Sequence, residues 1–133
     1  MSVLRGYVAQ AGAAVKASGA ATANSLTVME ITVAEGPPKH THTREDESIY
    51  VFTGGLHVEC GDDEFEAGPG AFVFLPRNVP HTFHGLDGPA TGLLIVTPGG
   101  LDEYFAELQA VINAGGRQDE IATVQRRYGI QRA

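Results

Sequence analysis

The chain has 133 residues, of which 43% are hydrophobic and 19% charged, a balance that suits one packed domain and excludes a chain disordered by composition. Sixteen acidic against nine basic residues give a net charge of −7, and the scattered basic residues argue against a nucleic-acid partner. The single cysteine, Cys60, excludes an internal disulfide framework, and no run approaches the about 20 apolar residues of a membrane helix, so a cytoplasmic, reducing location with no membrane partner is expected.

Val3, Leu4, Tyr7 and Val8 form a small apolar group, and the stretch from Tyr7 to Val15 is too weakly apolar to be a secretory core. The Ala, Gly, Ser and Thr run from Ala11 to Asn24 favours neither helix nor strand. Residues 25–33 (SLTVMEITV) are rich in β-branched side chains and partly alternate, as a strand does, and Gly36-Pro37-Pro38 ends them. Further strands are expected at 48–52 (SIYVF), 56–60 (LHVEC), 71–75 (AFVFL), 81–84 and 92–97 (GLLIVT). Turn signals separate them at Gly54-Gly55, Gly61-Asp62-Asp63, Gly68-Pro69-Gly70, 85–89 and 98–100.

Many short strands divided by Gly and Pro turns indicate an all-β antiparallel sandwich or barrel over residues 1–100. After Gly100 the period changes: Leu101, Phe105, Leu108 and Ile112 recur at helical spacing, with Asp102 and Glu103 in the first turn and Gly115-Gly116 as the stop. A second, shorter helix is expected over 119–128, with Ile121, Val124 and Tyr128 on one face and Gly129 at its end. This helical extension, 101–133, is expected to pack on the same domain, capping the β-core or supporting a dimer contact rather than entering a site.

His40-Thr41-His42 places two imidazoles at i and i+2, on one face of an extended segment, so both can reach one ion. Glu47 follows at the entry to the next strand, and His81 enters a later strand after Pro80. Three neutral imidazoles and a carboxylate suit one divalent transition metal ion, with iron, manganese, nickel, copper, cobalt and zinc all acceptable, and such a set leaves coordination positions open. By alternation, Ile49 and Val51 share the inward face with Glu47, and Phe83 shares it with His81. With Met29 and Ile31 they are the candidate substrate contacts of a mostly apolar pocket for a small organic molecule.

Glu45 and Asp46 are alternative ligands to Glu47, expected instead in a solvated turn paired weakly with Arg44. His84 is expected to point away from the site, His57 to face solvent without a partner, and Cys60 to be a buried structural thiol.

The spacing His42-x4-Glu47-x6-Gly54 resembles the first motif of the cupin superfamily, and Gly70-x5-Pro76-x-Asn78-x2-His81 resembles the second. There are departures: Gly36 stands closer to His40 than the family pattern has it, Asn78 replaces a usual Gly, and Gly85 replaces a closing Asn. None falls on a ligand position, so the resemblance implies His40, His42, Glu47 and His81 as metal ligands. The segments HTHTREDESIYV, AGPGAFVFLPRNVPHTFHG, TPGGLDEYFAEL and RRYGI are similar to small single-domain cupins of the quercetin 2,3-dioxygenase kind. That resemblance implies a jelly-roll β-barrel and a homodimer. It also implies a dioxygenase, using molecular oxygen on a small phenolic or enolisable compound, with Glu47 as the catalytic proton acceptor. Two other readings stay open: a non-redox metal-dependent isomerase, cyclase or lyase, for instance on a polyketide-like intermediate, and a non-catalytic small-molecule-binding cupin.

Overall fold

Among the described residues, ten strands, the longer ones rich in β-branched or alternating side chains, form two five-stranded antiparallel sheets. The structure, a computed structural model, describes residues 4–133, so Val3 of the N-terminal apolar group lies outside the described residues, while Leu4, Tyr7 and Val8 are exposed. The first sheet contains β1 (Val15–Ala17), β2 (Thr27–Val33), β4 (Asp46–Thr53), β7 (Phe72–Leu75) and β9 (Ala90–Thr97), in the order β1-β2-β9-β4-β7. The second contains β3 (His40–His42), β5 (Leu56–Cys60), β6 (Asp63–Ala67), β8 (His81–Gly85) and β10 (Ile130–Arg132), in the order β10-β3-β8-β5-β6. The expected all-β jelly roll with C-terminal helices is the observed fold. Among the described residues no helix is long and apolar enough to cross a membrane.

The two inner faces meet in a dry core in which Ile49, Val51, Leu56, Val58, Leu75 and Val96 are each at most 1% exposed. Four strands were not among the six expected from the sequence: β3, which was expected only as an extended segment at the end of a loop, and β1, β6 and β10. β1 and β10 have three residues each, too few for a period to register. β6 (DEFEA) is an edge strand in which four of the five residues are exposed, and its charges protect the edge rather than mark a core face.

Two helices follow, α1 (Leu101–Asn113) and α2 (Gln118–Arg127). Asp102 pins the first to the barrel: its Oδ1 accepts from Gly19 N at 3.1 Å and from the fully buried Thr27 hydroxyl at 3.0 Å, while the Thr27 oxygen accepts from Gly100 N at 3.0 Å. Glu107 ties the helices together, accepting from the Tyr128 hydroxyl at 2.7 Å and pairing with Arg127. From α2 the chain returns to the second sheet, where β10 runs antiparallel to β3 with Ile130 opposite His42 and Arg132 opposite His40.

Asn78, in the position of the family's glycine, adopts the left-handed φ of 66° that Asn tolerates, and its N–H donates to His42 O at 2.7 Å. Gly85 leaves no room for the family's Asn, because a Cβ there would lie 2.2 Å from Gly88 O. Gly36 is the tightest point: its φ is +75°, and a Cβ would stand 1.7 Å from Phe83 O. Gly36→Ala is therefore expected to destabilise the fold by about 2 kcal/mol or more, read as a fall of several degrees in Tm; an unchanged Tm would contradict this close approach.

Candidate metal centre

Three strands from both sheets converge on one point. β3 supplies His40 and His42, β8 supplies His81, and β4 supplies Glu47 from the facing sheet. His40 and His81 are directly paired in register. One ligating atom from each of the four residues lies within 4.8 Å of all the others, and His42, Glu47 and His81 are buried. The His40 and His81 ring centroids are 4.6 Å apart, and those of His40 and His42 are 4.9 Å apart.

Backbone carbonyls set two of the rings. His40 Nδ1 lies 2.7 Å from Pro38 O, and His81 Nδ1 lies 3.1 Å from Val79 O. A carbonyl only accepts, so each Nδ1 carries the proton and each Nε2 keeps a free lone pair. The His81 Nε2 is buried without a hydrogen-bond partner, and it faces Glu47 Oε1 at 3.9 Å. Leaving such an atom unsatisfied costs about 1–3 kcal/mol, a cost that a cation at the focus removes. Three imidazole nitrogens and one carboxylate oxygen are a donor set that fits a divalent transition metal ion.

The protonation states follow from burial and contacts. Burial holds the His40 and His81 imidazoles below the ordinary histidine value, so both are neutral. Burial also opposes charge on His42, but Glu45 and Glu47 outweigh it and raise that group from 6.5 to about 9. Burial likewise opposes charge on Glu47, but the contact with His42 wins and holds its carboxyl below the ordinary carboxylate value. Without metal, the centre thus carries one proton on His42 near neutral pH. That proton's stabilisation is complete below 6.5 and is lost as pH rises through about 9. Metal binding must expel it, so calorimetry near neutral pH in buffers of differing ionisation enthalpy is expected to show about one proton released per ion. Binding without proton release would contradict this account of His42.

A cavity of about 460 Å³ opens onto His40, His42 and Glu47. Ile31 and Phe83, two of the five expected substrate contacts, line it. Met29, Ile49 and Val51 do not: Ile49 and Val51 are sealed between the sheets, and the half-buried Met29 pairs in register with Val15 and Leu94. In place of these three residues the outer wall comes from the C-terminal segment, with Phe105, Leu108 and Ile112 of α1, Gln125 of α2, and Ile130 and Arg132 of β10. The helices therefore enter the site, which corrects the expectation that they only cap or support. The apolar stripe of α1 was visible in the sequence, but a stripe has the same period whether it covers a core or a cavity.

The neighbours divide. Glu45 is buried, not solvated, with Oε1 3.8 Å from His42 Nδ1. Asp46 pairs with Arg77 rather than Arg44, accepting from its backbone N at 2.8 Å and from Nη2 at 3.1 Å, which fastens the second-motif turn to β4. His84 is exposed on the outer face of the second sheet as expected. His57 lies there too but has partners, Glu64 at 2.7 Å and the His84 ring at 5.0 Å between centroids. His57, Glu59 and Glu64 form a second, more exposed group of ligating side chains. Cys60 is half-buried against the core, and burial pushes its thiol up, away from the reactive thiolate.

Residues 27–97 match the family model described as Cupin domain. Among solved structures, the chain is similar to KdgF from a Halomonas species, with a TM-score of 0.58 at 21% identity, covering 67% of this chain and 79% of that one, a likeness of fold. A sugar phosphate isomerase from the cupin superfamily of Silicibacter pomeroyi is 26% identical with a TM-score of 0.51, covering 62% of this chain and 57% of that one. The DMSP lyase DddQ from Ruegeria pomeroyi is 25% identical with a TM-score of 0.50, covering 56% and 39%. No match is found among curated proteins.

Proposed function

Because this chain belongs to the cupin family, we infer that it is a metal-dependent enzyme acting on a small organic molecule. Within that class we read it as an oxidoreductase, a dioxygenase similar to quercetin 2,3-dioxygenase that uses molecular oxygen on a phenolic or enolisable compound. The observation that carries the reading is the focus of His40, His42, Glu47 and His81 on one buried point beside an apolar cavity. A divalent transition metal held by these four residues supplies Lewis acidity toward a phenolate or enolate oxygen and, when redox-active, electron transfer with oxygen. Glu47, ionised and open to the cavity, accepts the phenolic proton. Ile31, Phe83 and Phe105 line the cavity with apolar surface that suits a flat ring.

The cytoplasm is the location of this reading, and the barrel of residues 1–100 works with segment 101–133 as one unit. It is also a homodimer. Tyr50, Phe52, Phe72 and Phe74 are exposed on the first sheet, a concentration of aromatic surface that a second copy of the chain would cover.

A second reading keeps the metal but uses it without redox change, as in an isomerase, cyclase or lyase. The similarity to a sugar phosphate isomerase and to a DMSP lyase favours it. A binding cupin without turnover is the remaining alternative. Elemental analysis of protein purified without an affinity tag, joined to oxygen uptake on a panel of flavonols and other enolisable phenols, separates the three. The dioxygenase reading expects about one redox-active ion per chain and substrate-dependent uptake, with Glu47→Gln keeping part of the metal and losing about 100-fold or more in turnover. Zinc with no uptake would move the chemistry to the Lewis-acid class, and protein that holds no metal would leave a binding module.

A further inference from the structure

The cavity has one polar feature outside the metal-ligating quartet that is charged. Arg132 is the only Arg or Lys among the described residues lining it. In the β3–β10 ladder Arg132 stands directly opposite His40, as Ile130 does opposite His42, and residues paired across a ladder project from the same face. The guanidinium therefore shares the cavity wall with a metal-ligating imidazole. Its backbone is fixed from both sides: Ile130 is buried, and Ala133 N donates to Lys39 O at 3.0 Å.

In a chain of net charge −7, Lys16, Arg77, Arg117 and Arg127 each find a carboxylate partner, whereas among the described residues Arg132, like Arg5, Lys39, Arg44 and Arg126, forms no ion pair, and of these five it alone lines the cavity. Its one side-chain hydrogen bond among the described residues is Nη2 donating to Gln118 Oε1 at the long distance of 3.5 Å. The rest of the guanidinium fork stays available, in a geometry that matches a carboxylate. The walls at Ile31, Val33, Phe105, Leu108 and Ile112 offer hydrocarbon surface to an apolar body, and the other polar side chains outside the quartet, those of Thr32, Tyr104 and Gln125, are uncharged.

We propose that Arg132 forms an anion subsite in this cavity, and that the ligand is a small organic carboxylate with an aliphatic or aromatic body. The carboxylate sits on the guanidinium, the body lies along the apolar walls, and the far end faces His40, His42 and Glu47. This rests on the reading of the cavity as the substrate site and narrows its substrate class to acids.

The test is calorimetric titration of 3-phenylpropanoate and octanoate, each beside its uncharged amide, into wild-type protein, R132K and R132Q as purified and with metal content measured. Wild type is expected to prefer each acid over its amide by about tenfold or more, with the preference falling as salt is added. R132K is expected to keep part of the preference, and R132Q to lose it at unchanged metal content. Equal affinity of acid and amide in wild type, no binding of the acids at millimolar concentration, or an undiminished preference in R132Q would overturn the proposal. The wild-type comparison decides even if R132Q fails to fold. Binding rather than turnover is read, so absent oxygen uptake would overturn the dioxygenase reading without touching Arg132.

Discussion

Three imidazoles and a carboxylate must meet at one buried point between two sheets, and much of the fold serves that requirement. Four polar groups removed from water are costly unless each finds a partner. Here carbonyls of Pro38 and Val79 take the outer nitrogens of His40 and His81, while His42 and Glu47 take each other. The His81 Nε2 is left buried without a partner and, with the free lone pair of His40, belongs to the group of atoms around the space a cation would fill, while His42 Nδ1 and Glu45 Oε1 face each other at 3.8 Å without a hydrogen bond. Strand β3, which carries two of the four residues that could hold a metal, is only three residues long, too short to hold its geometry alone. It is clamped between β8, through the His40 and His81 pair, and β10, through three paired residues.

That clamp joins the C-terminal segment to the chemistry. Asp102 anchors α1 to Thr27, Glu107 joins α1 to the end of α2, and the chain then turns back to lay β10 against β3. The same segment that supports the His40–His42 strand also supplies the outer cavity wall and, among the described residues, its one Arg or Lys. A jelly roll with this donor set hosts many reactions, so family membership speaks for the centre, whereas the substrate is decided by the wall. In this chain the wall is mostly apolar, with a single guanidinium and the uncharged polar groups of Thr32, Tyr104 and Gln125.

Much of this was legible in the sequence because strong periods and motif spacing are local signals. The alternation in 56–60 and 92–97, the stripe of α1 and the grouping of His40, His42, Glu47 and His81 all appear where their side chains and spacings place them. What was not legible depends on depth and distance. Alternation assigns Ile49 and Val51 to the face of Glu47 but says nothing of position along the strand, and both lie in the core between the sheets rather than on the cavity. The burial of Glu45 and the pairing of Asp46 with Arg77 join residues far apart in sequence or turned by a bend, which no period encodes. Arg132 is the extreme case: a three-residue strand places it beside His40 across most of the chain.

The central claim is that the buried quartet, and not the exposed group at His57, Glu59 and Glu64 or the thiol of Cys60, holds the metal. X-ray absorption at the edge of the bound metal tests it most directly. The account predicts a shell of nitrogen and oxygen donors at about 2.0–2.2 Å, with outer-shell scattering from three imidazoles that in His81→Ala falls to that of two or is lost together with the metal. A sulfur scatterer at about 2.3 Å, or a spectrum of one or two imidazoles that His81→Ala leaves unchanged, would contradict it.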